Sequence, residues 1–219
     1  MNNPRSSFPV WKRIADIVLS SAALIVLSPL LLLIAAVIKI VSSGPAFLRQ
    51  ERVGRYGKTF GLWKFRTMHV GADAAPHRHY LEDLITRDIP MIKLDTVDDP
   101  RVFPFGKFLR RTCIDELPQL LNVLRGEMSL VGPRPCLPYE ATQYNTWQMQ
   151  RFEAMPGLTG LWQVSGKNRT TFSEMIRLDI AYTKHVSLLL DLKILLKTIP
   201  AIVAAETTGV NDAREAKRA

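Results

Sequence analysis

The sequence is short of cysteine and of acidic residues, and one long stretch carries no charge at all. Its two cysteines, Cys113 and Cys136, make neither a disulfide framework nor a C-x-x-C metal spacing. A disulfide-stapled scaffold and a zinc module are therefore excluded, and a reducing, cytosol-facing location fits. No zinc-finger, P-loop or helix-turn-helix pattern is present, so nothing but charge points to nucleic acid, and we expect none as a partner. Twenty acidic residues stand against 29 Lys and Arg, giving a net charge of +9 and a pI near 9.8. That balance suits a polyanionic partner: anionic lipid, nucleic acid or a phosphorylated substrate. With 219 residues, 47% of them hydrophobic, the chain can build one core-bearing domain plus a membrane segment, and is too short for several catalytic domains.

From Ile17 to Ile38, 22 consecutive residues are uncharged, enough to cross a hydrocarbon core. The stretch exceeds a secretory h-region, and no small-residue cleavage site follows it. Pro29 lies inside it, cannot donate to the Ile25 carbonyl and predicts a kink. The Ser28 hydroxyl can partly satisfy that freed carbonyl, which makes Ser28-Pro29 a tolerable helix break within lipid. Basic residues flank both ends: Arg5, Lys12 and Arg13 before, and Lys39, Arg49, Arg52, Arg55 and Lys58 after. A bent helix entering and leaving by one leaflet satisfies the positive-inside tendency twice, while on these features alone a kinked single span fits equally well.

Beyond the break at Ser42-Ser43-Gly44-Pro45, the region to Met68 reads as short strands and turns punctuated by glycine. Alternation through Leu62–Thr67 predicts Lys64 and Arg66 on one face and Trp63 and Phe65 on the other. Between Arg49 and Arg66, six basic residues face a single acid, Glu51, a concentration suited to phosphates or headgroups and equally to a solvated basic surface. From His69 to Asp99 the chain is polar, a helical insertion or long loop. Its His77-Arg78-His79 lacks further ligands at helical spacing and is assigned no metal. Leu188 to Ala205 is amphipathic, with Lys193 and Lys197 four apart, and is read as packing on the core or lying on the membrane interface.

The densest chemical signal runs from Phe108 to Gly126. Leu117, Leu120, Leu121 and Leu124 have helical spacing, Gly126 is a C-terminal stop, and Pro118 is tolerated only in a first turn, so a helix is predicted to begin near Asp115. Asp115 and Glu116 then sit at its start, with Arg110 and Arg111 just upstream, and a substrate phosphate could be held there. An Asp is competent as a nucleophile toward phosphorus, and a neighbouring Glu can help place Mg²⁺. A purely structural alternative is a capping box from Thr112 to Asp115 that merely complements the helix dipole.

These residues resemble the bacterial sugar transferase family, the monotopic phosphoglycosyl transferases that start glycan assembly on undecaprenyl phosphate. The resemblance covers nearly the whole chain. It is carried by Lys12-Arg13-x-x-Asp16, Ser28-Pro29, Gly44-Pro45, Gln50-x-Arg52-x-Gly54, Lys64-Phe65-Arg66-Thr67-Met68 and Asp99-Pro100-Arg101. Asp115-Glu116-Leu117-Pro118-Gln119-Leu120, Met128 through Pro135, and Pro156-Gly157-Leu158-Thr159-Gly160 complete it. Leu48 after Phe47 and Trp162 between Leu161 and Gln163 depart from the family's pattern, away from the chemistry.

The resemblance implies a mostly helical α/β monotopic membrane protein: a re-entrant helix-break-helix (residues 1–41), a compact cytoplasmic catalytic domain with interfacial amphipathic helices (42–205), and a frayed tail (206–219). It implies Asp115 as the nucleophile that attacks the β-phosphate of a UDP-sugar and expels UMP, before undecaprenyl phosphate takes the sugar 1-phosphate. Glu116 is implied as partner carboxylate, with Asp115 and Glu116 holding Mg²⁺, and Ser28-Pro29 as the membrane helix break. Lys64, Arg66, Arg111 and Arg134 lie in family motifs and are expected, from their charge, to contact phosphate. Asp179-x-x-Tyr182 through Asp191-Leu192-Lys193-Ile194 resembles the hexose-transferring exopolysaccharide branch, favouring galactose or glucose. The expected location is the inner membrane, with the site on the cytoplasmic face against anionic headgroups; a homodimer is left open. Two other readings compete: a glycosyltransferase that moves the bare sugar and releases UDP, for which no Asp-x-Asp motif is present, and a non-enzymatic basic module tethered to the membrane.

Overall fold

The structure, a computed structural model, describes residues 8–73, 75–88, 99–166 and 170–216, without the side chains of residues 76, 77 and 204–216. The readings placed on Arg5, on His77 and on the tail side chains fall outside it.

The uncharged stretch forms one helix, α1 (Val10–Val41), with Pro29 inside it. The expected break does not interrupt the helix. Ser28 Oγ donates to the Ile25 carbonyl at 2.8 Å, replacing the bond that Pro29 cannot make. Among the described residues α1 is the one helix long and apolar enough to cross a membrane.

Both ends of α1 are gripped by the rest of the protein. Near its start, Lys12, Asp16 and Ser20 are buried. Lys12 pairs with Asp191, whose other oxygen accepts from the Tyr182 hydroxyl at 2.7 Å, and Asp16 accepts from the Leu130 N–H at 2.9 Å and from Ser129 at 3.1 Å. Arg13 donates to the carbonyls of Val123 and Leu124 at 2.6 and 2.7 Å, capping the negative end of α4 (Leu120–Arg125). Near the other end, Ile34 and Ile38 pack with Ala46, Phe65, Phe103 and Leu109. No residue from 21 to 33 is buried.

After α1 come an antiparallel hairpin, β1 (Phe47–Val53) with β2 (Thr59–Phe65), then α2 (Ala75–Arg87) and α3 (Pro104–Arg111). A 3-10 segment (Ile114–Gln119) leads into α4, and β3 (Ser129–Val131) pairs in parallel with β4 (Gly157–Thr159). Between these two strands lie the short α5 (Pro138–Ala141) and the 3-10 segment Gln148–Glu153. The chain closes with α6 (Phe172–Lys184) and α7 (Leu188–Ala216). The result is mostly helical with α/β content, as expected, and α2 lies in the stretch His69 to Asp99 that the sequence pattern reads as a helical insertion or a long loop.

The buried Asn122 ties α4 to the free edge of β2: it accepts from the Trp63 N–H at 2.9 Å and donates to the Gly61 carbonyl at 2.8 Å. The last helix is amphipathic, and the core-packing reading holds for one of its faces. Asp191 and Ile194 are buried, while Leu188, Leu189, Leu192, Leu196, Ile199 and Val203 form an exposed apolar stripe beside the exposed Lys193 and Lys197. On α3, Phe105 and Phe108 stack 6.0 Å apart, with Phe108 51% exposed.

Candidate active site

Asp115 and Glu116 lie in the 3-10 segment, against β2. The helical path begins at Ile114, one residue before the predicted start, and becomes α-helical only at Leu120. Pro118 has no N–H to give the Ile114 carbonyl, so the regular i−4 ladder can begin only beyond it. Cys113 enters the segment at φ 57°, a left-handed conformation, and Gly126 ends α4 at φ 77°, as predicted. The capping box is absent: the Thr112 hydroxyl donates backwards, to Phe108 at 2.9 Å and Leu109 at 3.2 Å.

The hairpin aims its cations by strand alternation. Register pairs Leu48 with Lys64, Gln50 with Leu62 and Arg52 with Phe60, so Arg52 and Lys64 share one face. Arg49 and Trp63 share the other, with the guanidinium 5.9 Å from the indole. Lys64 therefore faces the carboxylates. Burial first, then Arg52, lower its pKa to about 8 against the pull of Asp115 and Glu116. Burial and Arg134 likewise hold Arg52 below its usual range.

Arg134 supplies the third element. Its guanidinium grips both oxygens of Glu116, at 2.9 and 3.4 Å, and Glu116 in turn raises its pKa. Asp115 accepts no hydrogen bond among the described residues. Burial, and then the neighbouring Glu116, push its carboxyl up to about 7, against Lys64, Arg110 and Arg134. The arrangement is one carboxylate clamped by a guanidinium, and beside it a second, unclamped and within the field of several cations.

Of the residues singled out in the sequence, Lys64, Asp115, Glu116 and Arg134 come together, and Arg66 and Arg111 do not join them. Arg66 is 5% exposed and spends its guanidinium on the turn after α1, donating to the Pro45 carbonyl at 2.5 Å and to the Ser42 hydroxyl and carbonyl at 2.8 and 2.9 Å. The strand ends at Phe65, and the uncapped carbonyls of that turn recruit Arg66 away from the Lys64 face. Arg111 is exposed on the last turn of α3; of the two neighbours it is Arg110 that acts on Asp115, together with Lys64 and Arg134. Sequence reading missed Arg52 as a site residue, although alternation along β1 places it on the Lys64 face.

Among the described residues no group of three or more His, Cys, Asp or Glu side chains could hold a metal. Asp115 and Glu116 alone nevertheless suit Mg²⁺, an ion usually held by one or two carboxylates together with substrate phosphates and water.

The family model described as bacterial sugar transferase matches residues 7–205. The chain is 41% identical over 193 residues to the exopolysaccharide production protein ExoY of Sinorhizobium fredii, covering 88% of this chain and 85% of that protein. It is 40% identical over 211 residues to a UDP-glucose:undecaprenyl-phosphate glucose-1-phosphate transferase of Caulobacter vibrioides, covering 93% of this chain and 73% of that one. Identity is also 40%, over 202 residues, to an undecaprenyl-phosphate galactose phosphotransferase of Salmonella typhimurium, of which the chain spans 42%.

Proposed function

This chain belongs to the bacterial sugar transferase family, and we propose that it is a phosphoglycosyl transferase moving a hexose 1-phosphate from a UDP-sugar to undecaprenyl phosphate through a covalent intermediate on Asp115. The observation that carries this reading is the asymmetry of the carboxylate pair. Glu116 is bound by Arg134, whereas Asp115 is unclamped and surrounded by cations that can receive a diphosphate.

In the first step an Asp115 oxygen attacks the β-phosphorus. A bond forms from that oxygen to phosphorus, the bridging P–O bond breaks, and UMP leaves with the bridging oxygen. In the second, an oxygen of the lipid phosphate attacks the same phosphorus, the Asp115 O–P bond breaks, and the carboxylate is restored with a diphosphate-linked sugar on the lipid. Lys64, Arg52, Arg110 and Arg134 offset the charge of the incoming phosphates, and Arg134 keeps Glu116 fixed beside the nucleophile. Asp115 and Glu116 would hold Mg²⁺, which supplies charge neutralisation and polarisation at the phosphoryl oxygens.

For the membrane part we adopt the re-entrant arrangement, on the cytoplasmic face of the inner membrane. Residues 21–33, the part of α1 without buried side chains, extend only about 20 Å at helical rise, less than the roughly 30 Å hydrocarbon core. A straight crossing would drag into lipid the polar groups that hold the start of the helix, Lys12, Arg13 and Asp16 with their partners. Docking both ends on one domain, with basic residues on both flanks, favours a helix that enters and leaves by the cytoplasmic leaflet. The apolar stripe of α7 and the Phe105–Phe108 pair suit the same interface.

The test is incubation of detergent-purified protein with Mg²⁺, undecaprenyl phosphate and a panel of UDP-sugars, with UMP and UDP quantified separately. UMP release with UDP-glucose or UDP-galactose supports the reading. UDP release would transfer the chain to the bare-sugar glycosyltransferase reading, and strong salt-dependent polyanion binding without donor consumption to the non-enzymatic one.

A further inference from the structure

Arg134 sits between Pro133 and Pro135, which have no N–H, so the loop cannot brace itself with hydrogen bonds from those positions. It is held from outside by its carbonyls. Four in succession are bonded: Pro133 by the Gly157 N–H at 2.8 Å, Arg134 by Arg151 at 2.7 Å, Pro135 by Arg52 at 3.1 Å and Cys136 by the Val53 N–H at 2.9 Å.

The bond on Arg134 itself comes from a guanidinium with no contact to the reacting groups. Arg151, 2% exposed in the 3-10 segment Gln148–Glu153, spreads its fork over three acceptors: the Arg134 carbonyl, the Tyr144 hydroxyl at 2.8 Å and Asp179 of α6 at 2.6 Å. Asp179 is 1% exposed, and burial pushes its carboxyl up to about 6 in spite of Arg151. A buried ion pair is a poor source of net stability, since desolvation offsets most of the attraction. What this pair does supply is a rigid donor aimed at one atom.

We propose that Arg151 and Asp179 are positioning residues of the transferase: Asp179 orients the Arg151 guanidinium, Arg151 fixes the Arg134 backbone through its carbonyl, and the Arg134 side chain is thereby held on Glu116. The inference rests on the phosphoglycosyl transferase reading and assigns a role in it to the Asp179 half of the Asp179-x-x-Tyr182 motif. Arg151→Lys keeps a positive charge beside Asp179 but loses the planar fork, so it cannot reach all three acceptors.

The experiment is a double-mutant cycle on the full-length protein: wild type, Arg151→Lys, Arg134→Ala and the double variant, with kcat and KM for UMP release and the thermal midpoint of each. Arg151→Lys is expected to lower kcat about tenfold with KM for the donor changed less than about twofold. In the Arg134→Ala background the same substitution is expected to change kcat less than about twofold, because its effect runs through Arg134. A full tenfold loss retained in the double variant, or wild-type kcat in Arg151→Lys, overturns the proposal. Labelling by phenylglyoxal, read by peptide mass spectrometry, needs no turnover. Arg134 should be modified several-fold faster in Arg151→Lys while exposed Arg111 is unchanged, and equal Arg134 rates overturn the proposal even if the wild type were to release no UMP. Should Arg151→Lys fail to fold, Asp179→Asn takes its place with the same expectations; if neither variant folds, the pair is a folding determinant and the positioning role is wrong.

Discussion

Arg134 holds Glu116 by both carboxylate oxygens, at 2.9 and 3.4 Å, while Asp115, one residue earlier, accepts no hydrogen bond from any described residue. In the proposed mechanism this gives the adjacent carboxylates different tasks: the clamped one is fixed in place, and the unclamped one approaches phosphorus.

Lys64 and Arg66, two residues apart, are expected to fail in different ways. Lys64→Met should cut kcat/KM by roughly 10²-fold with little change in thermal midpoint, since the Lys64 side chain faces Asp115 and makes no hydrogen bond to any described residue. Arg66→Gln should lower the midpoint by several degrees, leaving the Pro45 and Ser42 carbonyls short of donors, with KM of the surviving protein unchanged. Comparing the two variants by thermal unfolding and initial rates checks the assignment; the reverse pattern would exchange their roles.

The pH profile follows from the two shifted groups. A nucleophile must be ionised, so with Asp115 pushed up to about 7 the value of kcat/KM should rise with pH through that point. Lys64 acts while charged, and its pKa of about 8 predicts a fall above that pH. The expected profile is a narrow bell in kcat/KM, whose alkaline limb moves upward in Lys64→Arg, because a guanidinium stays protonated. A profile flat from pH 6 to 9 would count against both assignments.

Asp191 is buried at 5% exposure and receives Lys12 from α1 together with the Tyr182 hydroxyl. Asp191→Asn leaves the buried Lys12 ammonium without its counter-charge, which costs about 3–5 kcal/mol. The variant should unfold at clearly lower temperature and lose protease resistance at the junction of α1 with α7. An unchanged midpoint would mean that Lys12 finds water instead.

Much of this was legible in the sequence. Pattern and proline position gave the helix after Asp115, and the Ser28 hydroxyl on the Ile25 carbonyl follows from Ser28 and Pro29 together. The misplaced residues share a cause. The exposure of Arg111 and the recruitment of Arg66 depend on where a strand or helix ends and which carbonyls are left open there, a tertiary fact that residue type does not carry. Arg52 was within reach through alternation along β1. Arg151 was not, because its three acceptors, Arg134, Tyr144 and Asp179, come from three different segments that only the fold brings together.

The re-entrant arrangement makes a prediction of its own. Single cysteines introduced at Val10 and at Ile40 should both resist a membrane-impermeant maleimide applied from the periplasm and react once the cytoplasmic side is opened. Periplasmic labelling of either position would establish a span.

The central claim is a covalent phosphosugar on Asp115, and the most direct measurement is intact-protein and peptide mass spectrometry after mixing with Mg²⁺ and the active UDP-sugar in the absence of lipid acceptor. The account predicts a hexose-phosphate adduct on the peptide bearing Asp115, discharged by undecaprenyl phosphate and absent from a folded, membrane-associated Asp115→Asn variant. Turnover without any adduct, together with wild-type-like rates in Asp115→Asn, would contradict it.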